Sequence, residues 1–198
     1  MSTAMPDRIS LRPAQVDDAP VLAELVNYAG EGLPLYLWEQ LAADGQSGWD
    51  VGKQRAGRET GSFSYRNATV IQVNSTAAGT LIGYEIAEEP APVPPDMPPM
   101  FVPLQELENL APSTWYVNVL AVLPQFRGMG LGSRLLALAD ETGARLEKSG
   151  MSVIVADNNT GARRLYERFG YAETALRSIV KEGWPTEGCE WVLLTKEF

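Results

Sequence analysis

The sequence predicts an α/β fold: one domain with a mixed central sheet, flanked by helices and carrying a parallel crossover in its second half. Three observations predict it. STWYVNVLAVLP, ending at Pro124, is the clearest strand in the chain. It opens into FRGMGLGSR, with glycines at 128, 130 and 132, and then into an amphipathic helix. Behind that helix MSVIVAD is a second apolar run of strand length. A strand, a helix and a second buried strand in this order form a parallel crossover. At 198 residues the chain fits one sizeable domain, spanning 1–198.

The elements follow in order. ISLRPAQVDD, from Ile9, reads as a short strand, and Asp17 or Asp18 caps a helix running through Asn27. Val21, Leu22, Leu25 and Val26 fall at helical spacing on it. Pro34 to Ala43 forms a shorter helix ended by Gly45, made unusually apolar and aromatic by Leu33, Tyr36, Leu37, Trp38 and Leu41. GKQRAGRETGS is loop-like. ATVIQV, ending at Val73, and GTLIGYEIAEE, from Gly79, read as an antiparallel pair separated by NSTAAG. From Pro90 to Pro112 the composition shifts to PAPVPPDMPP and FVPLQELENLAP. Prolines so dense cannot continue a sheet or helix, so 90–112 is a Pro-rich insertion, either a plain loop or a substrate lid, with one or two helical turns in PLQELENL. After the central strand, Leu131, Leu135, Leu138, Thr142 and Leu146 share one face of a long helix ended by Gly150. DNNTGARRLYERFGY is a helix with Asn and Thr at its start and Gly170 beyond its end. YAETALRSIV and CEWVLLTKEF close the chain as strands, with Cys189 packed in the last.

Composition narrows the chemistry. Hydrophobic content of 45% and charged content of 21% place the chain among soluble globular proteins. The single cysteine, Cys189, excludes an intramolecular disulfide and thiol-based metal sites. Histidine is absent, which removes Ser-His-Asp and Cys-His catalysis and most zinc chemistry. No metal is expected, and proton transfer falls to carboxylates, tyrosine, lysine or water. MSTAMPDRIS has no apolar core of signal-peptide length and no later segment is long enough to cross a bilayer, so a cytoplasmic protein is expected. A net charge of −9 repels nucleic acid and anionic membranes, and neither is expected as a partner. Two small positive islands stand out: Arg127 with Arg134, and Arg163 with Arg164 and Arg168. They suit a small anionic ligand better than a polymer.

Three glycines at alternate positions waste chain entropy unless the backbone has work there. A bare backbone opening onto a helix N-terminus is built for an anion, because the first amides of a helix lack internal partners and the macrodipole is positive at that end. Two phosphate loops fit this description. A dinucleotide loop requires G-x-G-x-x-G, but Ser133 or Leu135 stands at the last position, although Asp157 lies where a ribose-binding acid belongs. Too little chain follows to complete a doubly wound sheet. The Walker pattern fails, since no Lys-Ser or Lys-Thr ends the run. The other loop holds a pyrophosphate by backbone amides alone.

Arg127-x-x-Gly130-x-Gly132, preceded by LAVLP, resembles the coenzyme A loop of the GNAT acyltransferase superfamily, and Gln125-x-x-Gly128-x-Gly130 fits the same formula in another register. Asn159-x-x-Ala162-x-x-Leu165-Tyr166, followed by Phe169-Gly170-Tyr171, is similar to the family's second signature. The resemblance is carried from Trp115 to Tyr171. It implies a GNAT-type acyl-CoA N-acyltransferase fold, its sheet splayed between the VNVLAV and MSVIVAD strands with acetyl-CoA in the opening as cosubstrate. It implies that Leu120, Ala121 and Val122 pair their backbone with pantetheine. It implies too that the amides of Gly128, Met129, Gly130, Leu131, Gly132 and Ser133 wrap the pyrophosphate. Arg127 supports the loop, neutralises phosphate or stands solvated; Arg134 and Arg163 meet the adenosine phosphate or form a solvated helix face. Asn159 contacts the coenzyme while capping its helix. Tyr166 serves the leaving thiolate as hydrogen-bond or proton donor, the other reading being a packed tyrosine at helical spacing with Ala162, Leu165 and Phe169.

The base is less visible. Tyr116, Asn118, Leu120 and Val122 alternate to one face of WYVNVLAV, where no carboxylate stands, a departure from relatives that carry a glutamate there. Glu85 is the nearest strand carboxylate but reads as solvent-facing, so water-relayed deprotonation is expected. Tyr36, Trp38, Tyr116 and Asn118 are candidates for the acceptor pocket, with ordinary helix packing as the alternative for Tyr36 and Trp38. The expected reaction moves an acetyl group from acetyl-CoA to a primary amine, of a small molecule or a peptide, by direct attack in a ternary complex. A noncatalytic acyl-CoA-binding module is the alternative, and an NAD(P)-binding oxidoreductase the third reading. Homodimers are open through the exposed-looking CEWVLL strand.

Overall fold

The structure, a computed structural model, describes residues 7–198; Met1–Pro6, part of the stretch MSTAMPDRIS, lie outside the described residues. Among the described residues seven strands, β1 (Ile9–Pro13), β2 (Ala68–Val73), β3 (Thr76–Glu85), β4 (Thr114–Val122), β5 (Gly150–Ala156), β6 (Ala172–Ser178) and β7 (Glu190–Glu197), form one mixed sheet in the order β1-β2-β3-β4-β5-β7-β6, flanked by six α-helices. Among the described residues no helix is long and apolar enough to cross a membrane. The chain divides into two compact units, one reaching Ile82 and including Val119–Leu135, the other Gly83–Asn118 with Leu136–Phe198.

In the first unit β1 (Ile9–Pro13), β2 (Ala68–Val73) and the first part of β3 (Thr76–Glu85) run antiparallel. The β2–β3 connection is shorter than NSTAAG suggests. Asn74 and Ser75 alone turn the chain, with φ of 49° and 68°, the left-handed pair that matches the twist of a two-residue hairpin. Over these strands lie α1 (Ala19–Ala29), α2 (Leu33–Leu41) and α3 (Gly48–Ala56). The core joins Leu22, Ala23 and Val26 of α1 to Trp38, Val51, Val70 and Ile82. The helix α3 replaces much of the expected loop. Ser47 Oγ accepts from the Asp50 amide at 3.2 Å while the Asp50 carboxylate accepts from the Ser47 amide at 3.1 Å, so a capping box starts a helix whose polar outer face hid it.

Asp18 anchors the entry to α1 without capping it through its side chain. Arg12 donates from Nη1 to Oδ2 at 2.7 Å and from Nη2 to Oδ1 at 2.8 Å, and the Gln15 amide adds a third bond at 2.7 Å. The Arg12 hydrogen bonds, helped by the Gln15 amide, outweigh burial and hold the Asp18 carboxyl below the usual carboxylate range. A folded-state pKa below the unfolded value of about 3.9 means that this stabilisation is complete above that pH and is lost as pH falls through the folded value. Asp18→Asn is expected to cost on the order of 1–3 kcal/mol in urea unfolding at neutral pH. The gap to the parent protein should close progressively below about pH 4. An equal gap in acid would refute the assignment.

In the second unit the first half of β4 (Thr114–Val122) pairs parallel with β5 (Gly150–Ala156), in register from Thr114↔Gly150 to Val117↔Val153. The two strands are also linked through their side chains, Thr114 Oγ1 and Ser152 Oγ lying 2.7 Å apart in the interior. β7 (Glu190–Glu197) runs antiparallel to β5 on one side and to β6 (Ala172–Ser178) on the other. The C-terminal strand is therefore interior, and CEWVLL offers no free edge to a second copy. Cys189 is exposed just before β7, not packed within it.

Helix α5 (Leu131–Arg145) ends earlier than Gly150 suggests. Glu147 takes φ of 54°, its amide donates to Ala144 at 3.0 Å, and the Lys148 amide donates to Gly143 at 3.1 Å. That is a Schellman closure with glutamate where glycine is usual. Gly150 instead opens β5, where an added Cβ would run into the Lys196 carbonyl. The buried stripe of α5 is Leu131, Leu135, Leu136, Ala139 and Gly143, rotated from the expected face, and Leu146 is 37% exposed.

Candidate active site

The glycine segment belongs to the first unit. Beyond β4 the buried Leu123 donates its amide to Ala78 of β3 at 2.8 Å. In an extended strand this turns the backbone groups of Ala121 and Leu123 toward β3 and those of Leu120 and Val122 to the opposite edge. After a 3-10 turn at Pro124–Phe126, Gly128 and Gly130 take φ of 79° and 74°. An added Cβ would meet nothing within 4 Å at either, so backbone conformation, not crowding, requires glycine, and the space beside both is open. Gly130 is the cap of α5, its carbonyl accepting from the Arg134 amide at 3.2 Å. The amides of the first turn, Leu131, Gly132 and Ser133, consequently have no partner within the helix. Leu131, 1% exposed, pins this turn to the core. Arg127 folds back on the loop: its Nε donates to the Val122 carbonyl at 3.3 Å and its guanidinium lies 5.8 Å from the Tyr28 ring centroid.

The second unit carries two pairs of packed tyrosines, Tyr166 with Tyr171 and Tyr84 with Tyr116. Helix α6 (Thr160–Arg168) starts on Asn159, whose Oδ1 accepts from the Ala162 amide at 3.1 Å and whose amide nitrogen is left to donate elsewhere. Tyr166, on the buried side of α6, is 5% exposed, and its ring lies 5.5 Å from that of Tyr171. Burial pushes the Tyr166 hydroxyl well above the ordinary phenolic range, so it stays protonated at neutral pH. Tyr171 donates to Asp140 at 3.0 Å, and Asp140 also receives Lys196 at 2.5 Å. On β4, Tyr116 is buried against Tyr84 of β3, ring centroids 5.2 Å apart. Burial first, then Tyr84, Glu108 and Tyr166, drive the Tyr116 hydroxyl upward as well.

The Tyr84–Tyr116 pair meets a carboxylate that the sequence alone does not reveal. Glu108 is the last residue of α4 (Val102–Glu108), within the Pro-rich arm, and accepts from the Tyr84 hydroxyl at 3.1 Å. Burial raises its pKa and the Tyr84 bond moderates the rise. A cleft of about 210 Å³ lies beside it, walled by Tyr84, Ile86, Ala87, Glu89 and Asn109. Glu85 also faces this cleft, but Lys148 is ion-paired with it.

Residues 36–171 match the acetyltransferase (GNAT) family. The chain belongs to the GNAT acetyltransferase family. Solved GNAT-type folds agree with it along nearly its whole length. An N-acetyltransferase from Staphylococcus aureus Mu50 is 19% identical, with 94% of this chain and 100% of that one covered and a TM-score of 0.67. A GNAT family acetyltransferase from Elizabethkingia anophelis, solved with acetyl-CoA bound, is 17% identical, with 98% and 100% covered and a TM-score of 0.61. The ribosomal-protein-S18-alanine N-acetyltransferase from Escherichia coli is 16% identical, with 96% and 94% covered and a TM-score of 0.57. No curated protein matches the sequence.

GNAT membership sets aside the nicotinamide reading of the glycine segment. The remaining expected residues distribute unevenly. Trp38 is buried at 4% exposure, stacked on Phe63 at 5.8 Å and edge-on to Trp49 at 6.3 Å, the helix packing that stands as the alternative to a place in the acceptor pocket. Tyr36 is half-buried on α2. Tyr116 and Asn118 share one face of β4, the first buried and the second half-buried. Arg163 is held by Glu173 at 2.9 Å, while Arg134 is exposed.

Proposed function

We propose that this GNAT protein transfers the acetyl group of acetyl-CoA to a primary amine by direct attack within a ternary complex, the whole chain acting as one catalytic domain. The observation that carries the reading is the cradle at Gly128–Ser133: two left-handed glycines, open space beside them, and a helix N-terminus whose first amides lack helical partners. It fits the pyrophosphate of acetyl-CoA without any side chain. Leu120, turned from β3, offers its backbone to pantetheine, whereas the Val122 carbonyl is already engaged by Arg127. The Asn159 side-chain amide offers a further donor.

In the reaction the amine nitrogen forms a bond to the acetyl carbon and the carbon–sulfur bond breaks. The ammonium form of the acceptor gives up one proton before attack and a second as the amide forms, and the departing thiolate takes one back. One proton is released overall. Tyr166, kept protonated by burial, supplies the hydrogen to sulfur, and positioning does the rest. The acceptor class is an amine of a small molecule or peptide; the Escherichia coli neighbour acts on an alanine of ribosomal protein S18.

Free-thiol release from acetyl-CoA, followed with n-butylamine, 1,4-diaminobutane and an alanine-terminated peptide, tests the reading. Saturable, amine-dependent release is the expected outcome. Acetyl-CoA binding with no release from any amine class would favour a coenzyme-binding module instead.

A further inference from the structure

The arm at 90–112 is built into the second unit. Asn109 ties its two ends together, donating from Nδ2 to the Ala91 carbonyl at 2.8 Å and accepting from the Ala91 amide at 3.1 Å. Met100, in the 3-10 turn before α4, and Leu107 of α4, 3% and 0% exposed, root this part of the arm in the core. Glu106 on its outer side pairs with Arg177 of β6 at 2.7 Å. These contacts hold Glu108 in a fixed place, at the wall of the cleft and against Tyr84.

Resting on the acetyl-transfer reading, we propose that Glu108 is the base that takes the proton from the acceptor's ammonium group, and that the cleft beside it receives a small cationic amine. The strand β4 carries no carboxylate, Glu85 on β3 is ion-paired with Lys148, and Asp140, bonded to Tyr171, is ion-paired with Lys196, which leaves Glu108 as the tyrosine-bonded carboxylate without a cation against it among the described residues. Tyr84 carries the contact on to Tyr116 of β4, ring centroids 5.2 Å apart. The cleft's other charged wall residues are Glu85, paired with Lys148, and Glu89, so its lining itself adds no cation to repel an ammonium. The step is a proton transfer: the N–H bond of the ammonium breaks, its electron pair becomes the nucleophile, and Glu108 Oε holds the proton until solvent takes it. Tyr84 sets how readily this happens, since its hydroxyl bond favours the ionised carboxylate.

The test is a carbon-13 NMR titration of the Glu108 side-chain carboxyl in the full chain, with 1,4-diaminobutane as the probe. The expected result is a saturable shift at Glu108. In turnover, Glu108→Gln should lower amine kcat/KM by about 100-fold with acetyl-CoA affinity unchanged. Tyr84→Phe should move the acid limb of the pH profile to higher pH, which a merely structural role would not do. A Glu108 resonance unmoved by the diamine overturns the proposal, as does Glu108→Gln activity within a few fold of the parent. Acetyl-CoA added to the same sample separates the two readings. Failure to bind it sinks the acetyl-transfer function, whereas binding with an unmoved Glu108 sinks only this assignment.

Discussion

Tyr166→Phe is expected to lower kcat by about 100-fold while leaving acetyl-CoA affinity and stability close to those of the parent. Removing the hydroxyl keeps the ring in its packed place beside Tyr171. Burial alone acts on the Tyr166 hydroxyl, with no hydrogen-bonded group contributing, so its removal orphans no partner and should not cost stability. What is lost is the donor to sulfur. A CoA thiolate, with a thiol pKa of about 8.5, then departs without assistance. Steady-state kinetics alongside a thermal melt check this, and full turnover in a folded Tyr166→Phe protein would remove the residue from the mechanism.

Gly130→Val is the second large effect. Left-handed backbone at φ of 74° costs a β-branched residue about 1–3 kcal/mol, and an exposed loop relieves it by changing conformation. The amides of Gly128–Ser133 then lose their common direction. Acetyl-CoA affinity is expected to fall 10- to 100-fold, about 1.4–2.7 kcal/mol. Gly45→Val provides the control. Gly45 has φ of 81° and equally open surroundings, but it follows α2, so the same strain there should leave acetyl-CoA binding intact.

Much of this could be read from local rules. The glycine loop and the start of α6 are legible because φ preference and Asx capping act within a few residues: Gly128, Gly130 and Asn159 each do in the structure what their types favour. Helix α3 obeys a local rule as well, since Ser47 and Asp50 spell a capping box, but the polar run after it conceals the signal. The end of α5 misleads because Glu147 accepts a conformation usually left to glycine. Tertiary placement is a different matter. Nothing in the periodicity of CEWVLL says that it lies between β5 and β6, and nothing in PLQELENL says that Glu108 meets Tyr84, 24 residues earlier in the chain. Trp38 shows tertiary packing that its own helix does not spell out: Gly52 on α3 leaves room for its ring in the core.

The central claim is that the glycine cradle binds acetyl-CoA. Calorimetric titration of the purified protein with acetyl-CoA, with NADP titrated in parallel, tests it most directly. The account predicts saturable one-to-one binding of acetyl-CoA, weakened in Gly130→Val, and no binding of NADP. Absence of acetyl-CoA binding by the folded protein would contradict the loop assignment and every catalytic role that depends on it.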